Sequence, residues 1–427
     1  FKLYNPAGFK ESLLQWATQY EEVVFLDSND QEDQYGSFEC LLAVEAHTKI
    51  NVAQGEAFAT LKAYKKQVKD WIFGYLGYDL KNELEALDSK NPDGLEFETL
   101  FFFQPKRIIL VKENHVEFLY LSEYAPLISE DFDSIATSVY KESNLSYTNE
   151  HPKIKLRLNK DEYLGKVKNV LEYIQRGTIY EVNICQEFYV NDCTINPVRT
   201  FQNLNRISTP PFAAFLKWNN NFALCASPER YLKRIGEKVI SQPIKGTAAR
   251  STDFEKDEAL RNALANDPKE QAENVMIEDL VRNDLSKKSK RGTVMVEELF
   301  GIRSFKQVHQ MISTITGDFD TAIDAVEIIK DTFPMGSMTG APKIAAMKII
   351  EEIEVSKRGL YSGAVGYFTP TDDFDFNVVI RSILFNATNN YVSYTVGSAI
   401  TANSVPVKEY EECLLKAKAM RSVLESQ

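Results

Sequence analysis

The alternation of hydrophobic and polar positions changes period several times along the chain. Three early stretches are short and densely apolar, as strands are: "EEVVFLDS" (21–28), "DWIFGYLGYDL" (70–80) and "FFFQPKRIILVKENHVEFLYL" (101–121). The last predicts a hairpin turning at Glu113-Asn114. "NKDEYLGKVKNVLEYIQRG" (159–177) carries helical spacing instead, with Asn159 and Glu162 at capping-box separation and Gly177 as the stop.

Two further segments predict meanders. One runs from "FAAFLKW" through "FALCASPERYLKRI" to "VISQPIKGT" (212–247), the other from "YSGAVGYF" through "FDFNVVIRSILF" to "YVSYTVGSAIT" (361–401). Their turns are too short for parallel crossovers, which need a dozen residues or more, so the pairing is expected to be antiparallel. The class is therefore α+β with large antiparallel β-sheets. A polar passage without periodicity, "KESNLSYTNEHPKIK" (141–155), predicts a division into an N-terminal region, 1–145, and a second region, 155–427.

Composition narrows the class of function. The 427 residues are 44% hydrophobic and 26% charged, as in an ordinary globular protein. No apolar run approaches the ~20 residues of a membrane helix, and the first residues lack a signal-peptide core, so a cytoplasmic protein with no membrane partner is expected. The five cysteines, Cys40, Cys185, Cys193, Cys225 and Cys413, show no metal or disulfide spacing and read as reduced core residues. A net charge of -12 disfavours nucleic acid, so any small anionic substrate has to meet a local concentration of positive charge.

Candidate chemistry falls in five places. In "NDPKEQAENVMIEDLVRNDL" (266–285), Asp267 caps a helix, Pro268 fits its first turn, and Glu270 and Glu273 share a face. "VPVKEYEECLLKAKAM" (405–420) repeats this with Glu409 and Glu412. Like charges at that spacing are either solvated decoration or, if the two pairs converge, an oxygen site suited to Mg2+. "FPMGSMTGAPK" (333–343) places Thr339 and Gly340 just before a helix, where free N–H groups bind anions, although the P-loop pattern is not met. Arg381, among apolar neighbours, needs an anionic partner, and Lys416 lies one turn beyond Glu412. In "PIKGT", Pro243 and Gly246 first restrict and then free the backbone, which predicts that Lys245 is presented on a defined turn.

Taken together, "ALCASPERYL", "PIKGTAAR", "DPKEQAENVMIEDLVRNDL", "FPMGSMTGAPK", "GLYSGAVGYF" and "VGSAITANSVPVKEYEECLLKAKA" stand in the order and spacing of the chorismate-utilising enzymes, which the chain resembles over about 155–427. That group includes anthranilate, aminodeoxychorismate, isochorismate and salicylate synthases. The resemblance implies antiparallel sheets packed as a sandwich with helices outside. It implies Mg2+ as cofactor, held by Glu273 and Glu412, with Glu270 and Glu409 behind them. By the same resemblance Glu229 of "SPER" protonates the departing ring 4-hydroxyl, while Arg381, Lys416, Tyr361 and the Gly397 backbone hold the substrate carboxylates. Thr339 and Gly340 join the substrate site, and His309 of "VHQMIS" lines it.

Lysine in "PIKGT" resembles the aminodeoxychorismate synthases, where anthranilate synthases are expected to read "PIAGT". The resemblance implies that the Lys245 amine attacks ring carbon 2 of chorismate before ammonia attacks carbon 4 and expels it. Such an amine needs a lowered pKa, part of which Mg2+ and Arg381 are expected to supply. Position 181 departs from the family: Glu181 stands where the isochorismate and salicylate synthases have the lysine that activates water, and where the amino-adding enzymes usually have glutamine. "FLDS" resembles the segment that helps to bind tryptophan in relatives, with Asp27 in place of glutamate. No cysteine sits in a G-x-C-x-G elbow, so ammonia is expected from a separate glutamine amidotransferase subunit or from solution. The alternatives are an anthranilate synthase component and a non-catalytic chorismate-binding regulator.

Overall fold

A computed structural model describes residues 1–137 and 153–426. The boundary expected at 141–155 lies outside the described residues except for its last three. The hairpin forms as the pattern predicts, from Leu100–Lys112 and His115–Tyr120, with Glu113 at a positive φ of 54° in the turn. The helix Lys160–Gln175 carries both bonds of the capping box between Asn159 and Glu162, and Gly177 beyond it takes φ 74°.

Every strand pairing among the described residues is antiparallel, and the pairings form one continuous network that folds into two layers, a first and a second sheet joined through a shared strand. The first passes through His115–Tyr120, Leu100–Lys112, Cys40–Val52, Glu22–Asp27, Phe212–Trp218, Asn221–Ser227, Ser382–Asn386, Tyr391–Thr401 and Glu181–Val190. The second shares Leu100–Lys112 and continues through Ile72–Leu76, Ala364–Phe368, Phe374–Asn377, Arg230–Ile235, Lys238–Gln242 and Val308–Asp318. Strands from either side of the 141–155 passage thus hydrogen-bond to each other. A register slip between Ala46 and Thr48 bends the long shared pair from one sheet into the other.

Alternation along the strands feeds two cores. Val24, Leu41 and Ala43 face the second sheet and meet Phe73, Phe102 and Phe376, while their neighbours Val23, Leu42 and Val44 face outward. The outward set packs under helices Pro6–Ala17, Lys160–Gln175, Pro197–Ser208 and Pro406–Glu425. This is the expected sandwich with helices outside. All five cysteines are buried, and no described helix is long and apolar enough to cross a membrane. Asp27 ends the strand Glu22–Asp27, where it accepts from the Asn29 amide and lies 3.5 Å from Lys10.

Neither expected meander stays in one sheet. The chain leaves the first sheet at Ser227 and enters the second at Arg230, and it returns from Asn377 to Ser382. The stretch "NVVIRSILF", which reads as one strand, is broken at 378–381, with Arg381 at φ 53°. The two crossings run side by side: the Val378 amide donates to the Glu229 carbonyl at 3.0 Å and the Ala226 amide to the Arg381 carbonyl at 3.3 Å.

Candidate active site

The crossings open onto a cavity of about 740 Å³, the size of a small-molecule site. Glu229, Lys245, Glu270, Glu273, Tyr361, Arg381, Gly397, Glu412 and Lys416 line it. Chain segments that are remote in sequence therefore converge there.

Lys245 belongs to the strand Ile244–Ala249, not to the turn expected from its flanking Pro and Gly. The register of this strand against Val308–Asp318 slips between Ile244 and Thr247, which takes Lys245 and Gly246 out of the ladder. Gly246 has φ 87°, and a Cβ there would stand 3.1 Å from Glu270 Oε2 and 3.2 Å from Leu264 Cδ1. Glycine thus answers both backbone conformation and space. Lys245 Nζ lies 2.6 Å from Glu181 Oε1. Burial pushes the lysine down, but the charges of Glu181, Glu273 and Glu229 and the bond to Glu181 outweigh it and hold the ammonium above the ordinary lysine value. The lowered pKa expected for a nucleophilic amine is thus not the state of the free protein.

Glu229 occupies the first crossing and is buried, with Oε1 accepting from the Ser337 hydroxyl at 2.6 Å. Burial raises it from 4.5 to about 7, although Ser337 and Lys245 pull the other way. Near neutral pH such a carboxyl holds a proton it can donate. Sequence reading missed Ser337, although it lies in the quoted "FPMGSMTGAPK".

The helix Pro268–Ser286 starts as expected, with Asp267 Oδ1 accepting from the Lys269 and Glu270 amides at 2.8 and 3.2 Å. It presents Glu270 and Glu273 to the cavity, and Glu412 faces them from the helix Pro406–Glu425. Burial raises Glu273 to about 7 and also raises Glu270. Burial pushes Glu412 up as well, but Lys416 at 2.6 Å, with Lys269 and Lys245, brings it below its ordinary value. Glu273 Oε1 is buried without a hydrogen-bond partner, and the Lys269 ammonium, which the sequence reading did not weigh, stands 3.5 Å away. Among the described residues no three His, Cys, Asp or Glu side chains form a group able to hold a metal ion by themselves. Two facing carboxylates with an orphaned oxygen suit an ion that keeps its waters and takes further oxygens from a substrate, which is the habit of Mg2+.

Among the described residues no carboxylate forms an ion pair with Arg381; its Nη1 donates only weakly, at 3.4 Å, to the Lys416 carbonyl, and burial lowers its pKa although the Glu412 charge pulls the other way. Lys416 Nζ donates to the Gly397 carbonyl at 3.0 Å. Tyr361 is buried, with its hydroxyl 3.8 Å from Cys185 Sγ.

Four candidates stand off the wall. His309 is buried between Asp257, 3.1 Å from Nε2, and Ser304, 2.8 Å from Nδ1, while its strand neighbours Val308 and Gln310 line the cavity. Thr339 is fully buried and donates to the Met335 and Gly336 carbonyls. Gly340 pairs with Val182, so the loop sends Ser337 and Met338 to the cavity instead, and no residue from the start of the following helix lines it. Glu409 turns to the sheet and accepts from Ser398.

Residues 15–422 match the family described as chorismate binding enzyme. The chain belongs to that family. It is 35% identical to a probable chloroplastic aminodeoxychorismate synthase of Oryza sativa subsp. japonica over 82% of this chain, an alignment that takes in 43% of the rice protein. It is 33% identical to aminodeoxychorismate synthase component 1 of Bacillus subtilis over 82% of this chain and 76% of that one. Relatives named anthranilate synthase component 1 stand nearly as close, at 31% and 30%. The crystal structure of anthranilate synthase component I from Streptococcus pneumoniae superposes with a TM-score of 0.79 at 23% identity, covering 92% of this chain and 95% of that one, which shows the common fold.

Proposed function

We propose that the chain aminates chorismate at ring carbon 4 to give 4-amino-4-deoxychorismate, the precursor of 4-aminobenzoate in the folate branch. The observation that carries this reading is Lys245, whose amine stands on the cavity wall close enough to Glu229 for each to shift the other. In the proposed sequence the amine attacks carbon 2 as Glu229 protonates the leaving hydroxyl, and ammonia then takes carbon 4 and releases the lysine. Arg381, on the wall and in no ion pair among the described residues, suits a substrate carboxylate. Glu273 and Glu412 would hold Mg2+, which would supply positive charge for the ring-proximal carboxylate. Ammonia would come from a separate glutamine amidotransferase subunit, a reading the relatives named component 1 support.

Mass analysis of the product from chorismate, Mg2+ and ammonium tests this. The expected product retains the enolpyruvyl group, and Lys245→Ala loses it by a large factor. Anthranilate with released pyruvate from the wild type would establish the competing reading, which the anthranilate synthase relatives keep in view.

A further inference from the structure

We propose that Glu181 is the proton acceptor that converts Lys245 from an ammonium into an amine. The inference rests on the reading of Lys245 as nucleophile. Glu181 stands behind Lys245, off the cavity wall, with Oε1 2.6 Å from Nζ and a side chain 1% exposed. Its other oxygen, Oε2, is buried and has no hydrogen-bond partner. The strand that carries it is paired on both sides at this residue, with Ala341 and with Thr401, so the carboxylate is held in place.

Other charges also face this lysine. Glu229 and Glu273 act on it directly, and it acts in turn on Glu270 and Glu412. All four favour the ammonium, and Glu181 is the carboxylate bonded to it. A proton passing from Nζ to Oε1 replaces an ion pair by a neutral acid and a neutral amine without changing net charge. Substrate that fills the cavity and expels water favours the neutral pair, because desolvation penalises the charged forms.

The amine lone pair then forms the bond to carbon 2 while the carbon 4–oxygen bond breaks, and the hydroxyl leaves as water with the Glu229 proton. When ammonia bonds to carbon 4 and the bond from carbon 2 to lysine breaks, Lys245 recovers its proton from Glu181, and Glu229 recovers one from the new ammonium. A glutamine at position 181 has no such capacity. This chain would thus carry its own base for a step that glutamine-bearing relatives must run differently.

The test is rapid-quench mass spectrometry of the full chain with Mg2+ and chorismate but no ammonia, reading the increment of chorismate minus water on the peptide containing Lys245. In the wild type the rate of adduct formation should be flat below about pH 7 and fall above it, following the Glu229 acid alone, since the Lys245 proton moves within the pair. Glu181→Gln should be at least about tenfold slower at pH 7, and its rate relative to the wild type at the same pH should climb about tenfold per pH unit, because only the deprotonated fraction of Lys245 reacts. Glu181→Asp, which keeps a carboxylate, should be slower by the same factor at every pH, and it covers the case in which the glutamine variant does not fold. Glu181→Gln matching the wild type in rate and profile would overturn the acceptor role alone. A wild type that turns chorismate over and yet forms no adduct on Lys245 would overturn the covalent reading and this inference with it.

Discussion

Replacing Glu229 by glutamine should move activity and stability in opposite directions. The carboxyl is raised from 4.5 to about 7, a difference of about 2.5 units; at 1.36 kcal/mol per unit this corresponds to about 3 kcal/mol. Between those two values the folded state binds more protons than the unfolded chain, so the group's contribution to stability falls as pH rises from about 4.5 to about 7. Above pH 7 the wild type carries the whole cost of a buried carboxylate. Glutamine keeps the shape and an oxygen for Ser337 without the charge. With an unfolding entropy of about 2.1 cal/mol/K per residue over the 427 residues, 3 kcal/mol corresponds to a Tm shift of about 3 °C. Thermal melts should therefore show Glu229→Gln matching the wild type near pH 4 and melting about 3 °C higher at pH 8. Chorismate consumption should fall about 100-fold or more, as is typical of general-acid loss. Wild-type turnover should itself decline above about pH 7 as the acid ionises. A Tm difference independent of pH, together with unchanged turnover, would refute both the buried charge and the acid.

Chelation of divalent ions should abolish turnover and added Mg2+ restore it, while Glu273→Gln and Glu412→Gln should each raise the Mg2+ needed for half activity by about tenfold or more. Full activity in chelator refutes the metal assignment. Gly246→Ala forces φ 87° on an L-residue and sets a Cβ 3.1 Å from Glu270 Oε2. It should cost about 1–2 kcal/mol in a denaturant titration and lower amination more than chorismate affinity, since Lys245 moves with the strand; an unchanged midpoint and rate would show that the bulge does not position the lysine.

What could be read from the sequence was local. The capping box at Asn159 and Glu162, the turn at Glu113-Asn114 and the cap at Asp267 each involve residues within a few positions, whose hydrogen bonds depend on little else. Strand character at 212–247 and 361–401 was equally plain, but membership of a sheet was not. Nothing in "CASPERY" or "NVVIRSILF" distinguishes a bend within one sheet from a crossing between two, because the partners that decide it lie more than a hundred residues away. The crossings are where Glu229 and Arg381 stand, so the same non-local choice that hid the topology built the cavity. Alternation explains why His309 misses it: with Val308 and Gln310 on the wall, His309 between them faces the other way.

An acidic chain taking a dianion needs local positive charge, yet Lys245 is neutralised by Glu181, Lys269 stands between Glu273 and Glu409, and Lys416 is paired with Glu412. Arg381 is the cation at the crossings with which, among the described residues, no carboxylate forms an ion pair, although the Glu412 charge reaches it. One substrate carboxylate therefore has a partner already in place. The other would approach Glu270, Glu273 and Glu412, where like charge opposes it unless a divalent ion stands between. If the proposed Mg2+ site is right, chorismate and Mg2+ should bind with positive coupling, each raising the affinity for the other by the same factor. The neutral pair made at Lys245 and Glu181 leaves that balance untouched, because a proton moved within a pair adds no charge to the site.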